Sequence, residues 1–296
     1  MPTTLAPFRL TSLAAILLGL LGTSLCSMAA ADQAPASILT LDSTAISADE
    51  LPKNALPTVF SGGQVARGGE LGVLGNQDMM DVPFTMSSYT SQLIEDQQAE
   101  NIGDVLLNDS SVRQSFGYGN AAQIFVIRGL PLNSDDISYN GLYGVLPRQV
   151  ISTDSLERVE VFKGPNAFIN GVTPTGSGVG GGINLQPKRA QDTPIRRFST
   201  DISSSGRVGE HLDLGQRFGD NNEFGVRMNI AQREGDTAID NESQRTKLFA
   251  LGLDYRGDRL RVSTDFGYQK QRINGKRNTV YIPATLTGIP HAPDAD

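Results

Sequence analysis

From about residue 196 onward the chain alternates between apolar and polar residues. Leu212, Leu214 and Phe218 alternate with His211, Asp213, Gly215 and Arg217, with Gln216 breaking the apolar side. Phe224, Val226, Met228 and Ile230 alternate with Gly225, Arg227, Asn229 and Ala231. Phe249, Leu251, Leu253 and Tyr255 do the same against Ala250, Gly252 and Asp254, and Leu260, Val262, Thr264, Phe266 and Tyr268 against Arg261, Ser263, Asp265 and Gly267. A period of two is the period of a β-strand with one apolar and one polar face. Each segment is about 9–11 residues long, the length a tilted strand needs to cross a bilayer. Aromatic residues fall near the ends, where interfacial girdles lie. Residues 219–222 and 257–258 read as tight turns, 236–245 as a longer polar loop, and the segment after Arg272 as longer still. Short turns at one end and long loops at the other are the pattern of a membrane barrel. A soluble antiparallel sheet with one wet face gives the same alternation.

The N-terminus favours the barrel. Arg9 is the only charged residue before Asp32; an apolar run over 13–25 follows it, and then Ala29, Ala30 and Ala31. A charged start, a short apolar stretch and small residues make a secretory signal, here residues 1–31. The single Cys, Cys26, lies inside it, and Leu25 before it disfavours a lipid-attachment site. Cleavage after Ala31 leaves a Cys-free chain, which suits a bacterial envelope protein without disulfides. Lys plus Arg number 25 and Asp plus Glu 32, a formal charge of −7. That balance argues against nucleic acid as a partner, since nucleic-acid binders present a basic face. No apolar stretch of about 20 residues follows the signal, so no helical span is expected, which leaves a barrel open.

Between signal and strands the chain divides again. Residues 32–80 are poor in aromatics and punctuated by Gly62, Gly63, Gly68, Gly69, Gly72 and Gly75, and read as an extended, flexible segment. Residues 81–190 read as a compact α+β unit. Residues 91–99 form a short helix; Asn101 caps a second, with Ile102, Val105 and Leu106 on one side. Residues 124–127 and 156–162 read as strands, the first buried. Residues 164–182 hold seven glycines and read as irregular loop.

Most local motifs carry no chemistry. Residues 176–181 fit G-x-G-x-x-G, but Thr173-Pro174 precedes them and the strand-like Ile183-Asn184-Leu185 follows, the wrong context for a dinucleotide site. Asp135-Asp136 is the pattern of a solvated acidic pair more than of a cation site. With two His in all, no His-based metal site is expected; His211 is expected to face a barrel lumen. No catalytic constellation is visible, so the chain is not expected to be an enzyme, and no metal or cofactor is assigned. Two strings stand out instead. Ile127-Arg128-Gly129 ends the buried strand, and Glu157-Arg158-Val159-Glu160-Val161-Phe162-Lys163-Gly164-Pro165 ends the next, followed by Gly171 and by Gly181-Gly182-Ile183-Asn184.

In that order and at that spacing these strings resemble the plug of TonB-dependent outer-membrane receptors, in particular the siderophore receptors. The residues after Asp81 and at Gln97-Gln98-Ala99 resemble the hydroxamate branch. The resemblance implies an α+β plug (81–190) followed by the first strands of an antiparallel transmembrane β-barrel (191–296), with 22 strands in the complete protein. At about 20 residues per strand and connection, 22 strands need about 440. Residues 191–296 supply 106, so this chain is expected to be incomplete.

The resemblance also implies roles. The receptor would be a single-chain barrel in outer-membrane lipid, with plug and N-terminal segment facing the periplasm. It would bind and import a ferric siderophore, iron being held only by the chelate. TonB, with its inner-membrane energising complex, would pull on a TonB box that adds as a strand to its sheet. Leu39, Thr40, Leu41, Asp42, Ser43, Thr44, Ala45, Ile46, Ser47 and Ala48 are the candidate box; a plain linker would read similarly. Arg128 and Lys163 match positions where plug cations latch by buried charge pairs onto carboxylates of the wall, with the wall partners expected beyond residue 296. Phe116, Tyr118, Tyr139 and Tyr143 are candidates for ligand contact. Cobalamin or a saccharide as cargo, or a truncated plug-like periplasmic binding module, are the alternatives.

Overall fold

The computed structural model describes residues 55–116, 122–203, 205–257 and 259–275, with 285, 287 and 288. The export signal (1–31), the candidate box (39–48) and Tyr118 lie outside the described residues.

The first part is an α+β unit. In order it runs β1 (Gly68–Glu70), β2 (Asn76–Asp78), β3 (Thr85–Thr90), α1 (Ser91–Asp96), α2 (Ile102–Leu106), β4 (Val112–Gln114), β5 (Phe125–Ile127), β6 (Leu130–Leu132), β7 (Ser138–Tyr139), β8 (Leu156–Lys163), α3 (Ala167–Asn170) and β9 (Gly181–Pro187). Its main sheet has the order β3-β8-β9-β7; β1-β2 and β4-β5-β6 form two small sheets beside it. β8 carries the Glu-Arg-Val-Glu-Val string and lies between β3 and β9, so even its charged positions Arg158 and Glu160 are buried. Val159, Val161, Ile183 and Leu185 of the sheet meet Leu93, Ile102, Val105 and Leu106 of the helices and Phe125 and Ile127 of β5 in one apolar core.

Local chemistry fixes the helices. Asn101 accepts from the Asp104 amide at 3.3 Å and the Asp104 carboxylate accepts from the Asn101 amide at 3.1 Å, a reciprocal cap that starts α2 at the expected residue. α1 stops at Asp96, short of the predicted end at 99, because Gln98 turns left-handed at φ 50°. The predicted loop 164–182 contains the single helical turn α3.

The segment read as flexible up to residue 80 departs from that reading. Order is present from residue 55, and Ala66 and Leu71 are fully buried. The glycines read there as linker punctuation include a close-approach position. A Cβ on Gly69 would lie 2.6 Å from the Glu160 carboxylate and the Met86 methyl, so glycine lets β1 lie on the sheet without displacing either side chain.

The Ile-Arg-Gly string makes a tight hairpin. Ile127 pairs with Leu130, and Arg128 and Gly129 between them have φ of 51° and 85°. Two successive positive φ values are what a two-residue hairpin turn of this hand requires.

The second part is one antiparallel sheet in sequence order: β10 (Ile195–Ile202), β11 (Val208–Phe218), β12 (Phe224–Asp236), β13 (Ser243–Arg256) and β14 (Arg261–Asn274). Its register stacks like residues across the sheet. Phe198, Leu212, Ile230, Phe249 and Tyr268 form one continuous row. Leu214, Met228, Leu251 and Phe266 form the next on the same face. Phe198, Phe249, Phe266 and Tyr268 of this apolar face are exposed. The other face carries Asp213, Arg217, Arg227 and Asn229, all buried against the α+β unit. The alternation thus reads as expected, with the polar side turned inward. The strands beyond β10 run to 11, 13, 14 and 14 residues, longer than the alternating segments alone suggest.

Candidate functional site

The α+β unit and the five-strand sheet meet along the inward face of the sheet. The contact here is built from ion pairs. Lys188, just past β9, places its Nζ 3.2 Å from Asp213 Oδ2 on β11. Arg227 on β12 grips the same carboxylate through Nε at 2.5 Å and a second donor at 2.7 Å. All three side chains are at most 5% exposed. Arg227 also donates to the Arg189 carbonyl at 3.1 Å.

A second node centres on Asp154, in the loop before β8. Arg233 of β12 binds both its oxygens, at 2.7 and 2.9 Å, and Ser152 donates to it at 2.6 Å. Burial works to raise the Asp154 pKa, but Arg233, with His211 and Ser152, outweighs it and holds the carboxyl below the usual range. His211 faces inward as expected, with Nδ1 3.8 Å from Asp154.

Further contacts surround these nodes. Arg207, in the turn after β10, pairs with Glu100, and Arg197 of β10 pairs with Glu95 of α1. Arg189 meets Asp265 of β14, the second of its two bonds at 2.7 Å. Arg217 and Arg256 each donate to the Ala190 carbonyl at 3.1 Å, holding the chain where it leaves the plug. Arg217 reaches Asp254 at 2.7 Å by lying across Gly225; a Cβ there would come within 2.5 Å of both side chains. Gln269 of β14 acts as a borrowed peptide group: it accepts from the Ser152 amide at 3.1 Å and donates to the Val150 carbonyl at 2.7 Å. Beside this contact a cavity of about 220 Å³ is lined by Gln98, Gln114, Gln123, Gln244, Gln269 and Gln271, together with Arg233.

Such an interface has a particular property. Taking paired charges out of water costs nearly as much as their attraction returns, so intact pairs add little net stability. Removing one partner is costly, because the other stays buried and uncompensated. The contact therefore fixes position firmly, and on separation it exposes groups that water re-solvates.

The sequence-predicted residues fall differently. Lys163 pairs its Nζ with Asp109 of the plug at 2.9 Å. Asp109 follows α2 and is brought there by packing that β8's own sequence does not reveal. Burial works against its charge, yet Ser111 and Lys163 prevail and hold its carboxyl low. Arg128 lies beside the Lys163 carbonyl at 3.5 Å, and no ion pair forms at it among the described residues. Asp135 and Asp136 do not act as a pair. Asp135 accepts from Arg148 Nε at 3.0 Å, whereas Asp136 is fully buried and accepts from the amides of Thr175 at 2.8 Å and Ser177 at 3.0 Å. That knot ties residues 134–136 to the glycine-rich loop, where no nucleotide-binding context exists. Tyr139 packs against the plug core, and Tyr143 lines a small cavity beside Glu70 and Glu160; burial raises both phenol pKa values. Glu157 is half-buried, with Ser91 donating to it at 3.3 Å; Gly164 and Pro165 follow β8, Gly171 ends α3, and Gly181 and Gly182 open β9 opposite Lys163 and Phe162. Among the described residues no cluster of His, Cys, Asp or Glu has the geometry of a metal site.

The wall residues Asp213, Arg227, Arg233 and Arg217 were the missed ones. The signal was present: charges at inward positions of strands whose other face is apolar have only the plug to pair with.

A compact α+β plug held by a polar contact on the inner face of an outwardly apolar, five-strand sheet has the architecture of the start of a plugged membrane barrel. Comparison with known proteins agrees. The TonB-dependent Receptor Plug Domain matches residues 78–178. The ferrichrome receptor FcuA of Yersinia enterocolitica is 55% identical over 242 residues, covering 82% of this chain and 32% of the receptor. The crystal structure of BauA, the ferric preacinetobactin receptor of Acinetobacter baumannii, superposes with a TM-score of 0.75 at 40% identity, over 80% of this chain and 35% of that one. The pyoverdine outer-membrane receptor FpvA of Pseudomonas aeruginosa shares the fold, with a TM-score of 0.65 at 18% identity over 76% of this chain and 33% of that one. The chain belongs to the TonB-dependent receptor family, and it spans about a third of the length of these relatives.

Proposed function

We propose that this chain supplies the plug and first barrel strands of an outer-membrane receptor that imports a ferric siderophore of the hydroxamate class. The observation that carries the reading is the 55% identity to a ferrichrome receptor across plug and wall together. The interface chemistry supports it: a gate that must open and reclose is better held by ion pairs than by an apolar seam, because water takes up the separated charges. Iron enters as the chelate, so the protein itself supplies no metal ligand and no cofactor.

In this reading the outward apolar rows face outer-membrane lipid, and the periplasmic partner TonB, driven by its inner-membrane complex, pulls on residues 39–48. The test uses the full-length receptor. Ferric hydroxamate is expected to bind and to be taken up. Uptake confined to cobalamin or a saccharide overturns the cargo assignment, and recovery of the protein as a soluble periplasmic monomer overturns the receptor reading. Deleting 39–48 is expected to abolish energised uptake and leave binding intact; unchanged uptake refutes the box. The 40% identity to a ferric preacinetobactin receptor favours a second reading within the class, a different ferric chelate, which competition among chelates separates.

A further inference from the structure

The plug contains a second polar centre that the wall contact does not use. Glu160, on β8, is 2% exposed, and its Oε1 has no hydrogen-bond partner among the described residues. Its Oε2 accepts from the Glu70 amide of β1 at 3.2 Å and from the Asn184 side chain of β9 at 2.9 Å. The same Asn184 nitrogen donates to the Glu70 carboxylate at 3.0 Å, and Gln186 adds a bond to that carboxylate. Asn184 cannot turn away, because its oxygen accepts from the Gly141 amide at 3.0 Å and from Ser138 at 2.9 Å. Two carboxylates from different elements thus share one fixed amide, with Glu160 buried and Glu70 half-buried. Such a pair does not hold two negative charges at little cost; a proton on one of them relieves the repulsion.

The surroundings do not supply a neutralising partner at the pair itself. β3 offers Met86 and Ser88, β9 offers Asn184 and Gln186, and the loop after β7 offers Tyr143. Arg158, two residues along β8, favours a charged Glu160, but its guanidinium donates to the Pro57 carbonyl at 2.6 Å. β1 is the lid of the site, since Gly69 lies directly over the Glu160 carboxylate.

We propose that Glu70 and Glu160, bridged by Asn184, form a proton-dependent clasp that holds the β1–β2 hairpin on the plug sheet. With one proton on the pair the hairpin is seated. When that proton passes to water the carboxylates repel, and the hairpin detaches more readily. The purpose of such a clasp rests on the transport reading above: β1 is the first plug strand after the segment assigned to the pull, so the clasp holds the first strand that a pull meets.

Burial, and then the Glu70 charge, push Glu160 up to about 7 against the opposing Asn184 and Glu70 amide bonds and the Arg158 charge. A carboxyl raised in the closed state stabilises closure fully below its ordinary pKa of 4.5 and loses that contribution as pH rises through about 7.

The experiment is amide hydrogen exchange on the full-length receptor, corrected for intrinsic rates. Protection of residues 68–78 is expected to fall on the order of tenfold or more between about pH 5 and about pH 7.5. Glu160→Gln, neutral at every pH, is expected to flatten that slope. Glu70→Gln, which removes the neighbouring charge that helps to raise Glu160, is expected to shift the slope to lower pH and weaken it, and it carries the test if Glu160→Gln does not fold. A flat profile in the unmodified receptor, or an unchanged slope in both variants, overturns the clasp. Ferric-hydroxamate uptake is measured beside it. Absent uptake with the slope intact sinks the transport reading and leaves the clasp supported.

Discussion

The plug and the wall bury opposite chemistry. In the plug, apolar residues from sheet and helices converge on one centre, with Phe125, Ile127, Val159, Val161 and Leu185 fully buried. In the wall the buried face is the polar one, with Asp213, Arg217, Arg227 and Asn229, while Phe198, Phe266 and Tyr268 stand exposed on the other. The hydrophobic effect explains the first arrangement directly. The second follows only if the outer face meets lipid, where apolar groups rest without cost and backbone groups must all be paired along the sheet. The plug holds itself together by apolar burial; the wall holds the plug by charge.

That contrast can be broken from either side. The largest effect is expected in the plug core. Phe125→Ala removes a fully buried ring and is expected to destabilise the plug by about 3–5 kcal/mol, read as a lowered chemical-denaturation midpoint. At the contact, Asp213→Ala leaves Lys188 and Arg227 buried together without a counter-charge, and a loss of about 3–5 kcal/mol in plug–wall stability is expected. The companion variant Asp213→Ala with Arg227→Met is expected to recover part of it, since the net buried charge falls. No recovery would show that the site works by shape and not by charge.

On the lipid side, Leu251→Arg on β13 is expected to cost about 2–4 kcal/mol in refolding into bilayers. The neighbouring inward position Ala250 is the control. If charge is tolerated at 251 and not at 250, the assignment of faces is reversed.

The acid response sharpens the same contrast. Asp154 has its carboxyl lowered in the folded protein, Arg233 and its other partners overcoming burial. A lowered carboxyl contributes stability above its ordinary pKa, and that contribution is lost as pH falls through the folded value. Plug–wall separation, followed by cross-linking between cysteines placed in the β8–β9 unit and β12, is therefore expected to rise in acid. Asp154→Asn is expected to separate more readily near neutral pH and to lose that acid step. An acid step that survives in Asp154→Asn assigns it to another carboxylate.

Both faces of the wall were legible in the sequence, because a period of two needs no tertiary information. The plug's cap at Asn101 and the buried strand ending in Ile127 were legible for similar local reasons. The pairing of charges was not. Lys163 and Asp109 are 54 positions apart, and Asp154 and Arg233 are 79. Alternation marks Arg233 as inward without saying which carboxylate of the plug it meets. Gly69 was misread for the same reason: a glycine under a buried carboxylate and a glycine in a linker look alike until the sheet is assembled. Chemistry that depends on one element is written locally, and chemistry that joins two elements appears only with the fold.

The smallest expected effect tests whether burial, and not charge alone, makes the contact strong. Arg67 and Asp78 pair at 3.0 Å across the β1–β2 hairpin, with the arginine side chain 47% exposed. Their geometry is close to that of the buried nodes, but water screens both groups and the long side chain gives up entropy to hold its place. Arg67→Gln is expected to change stability by less than about 1 kcal/mol, and by less still in high salt. The buried Asp213 node is expected to keep most of its effect under the same salt, because the surrounding protein excludes the screening ions. If Arg67→Gln proves as damaging as Asp213→Ala, the hairpin is held by its own surface charges, and the distinction between a self-sufficient plug and a charge-fastened wall contact fails at its edge.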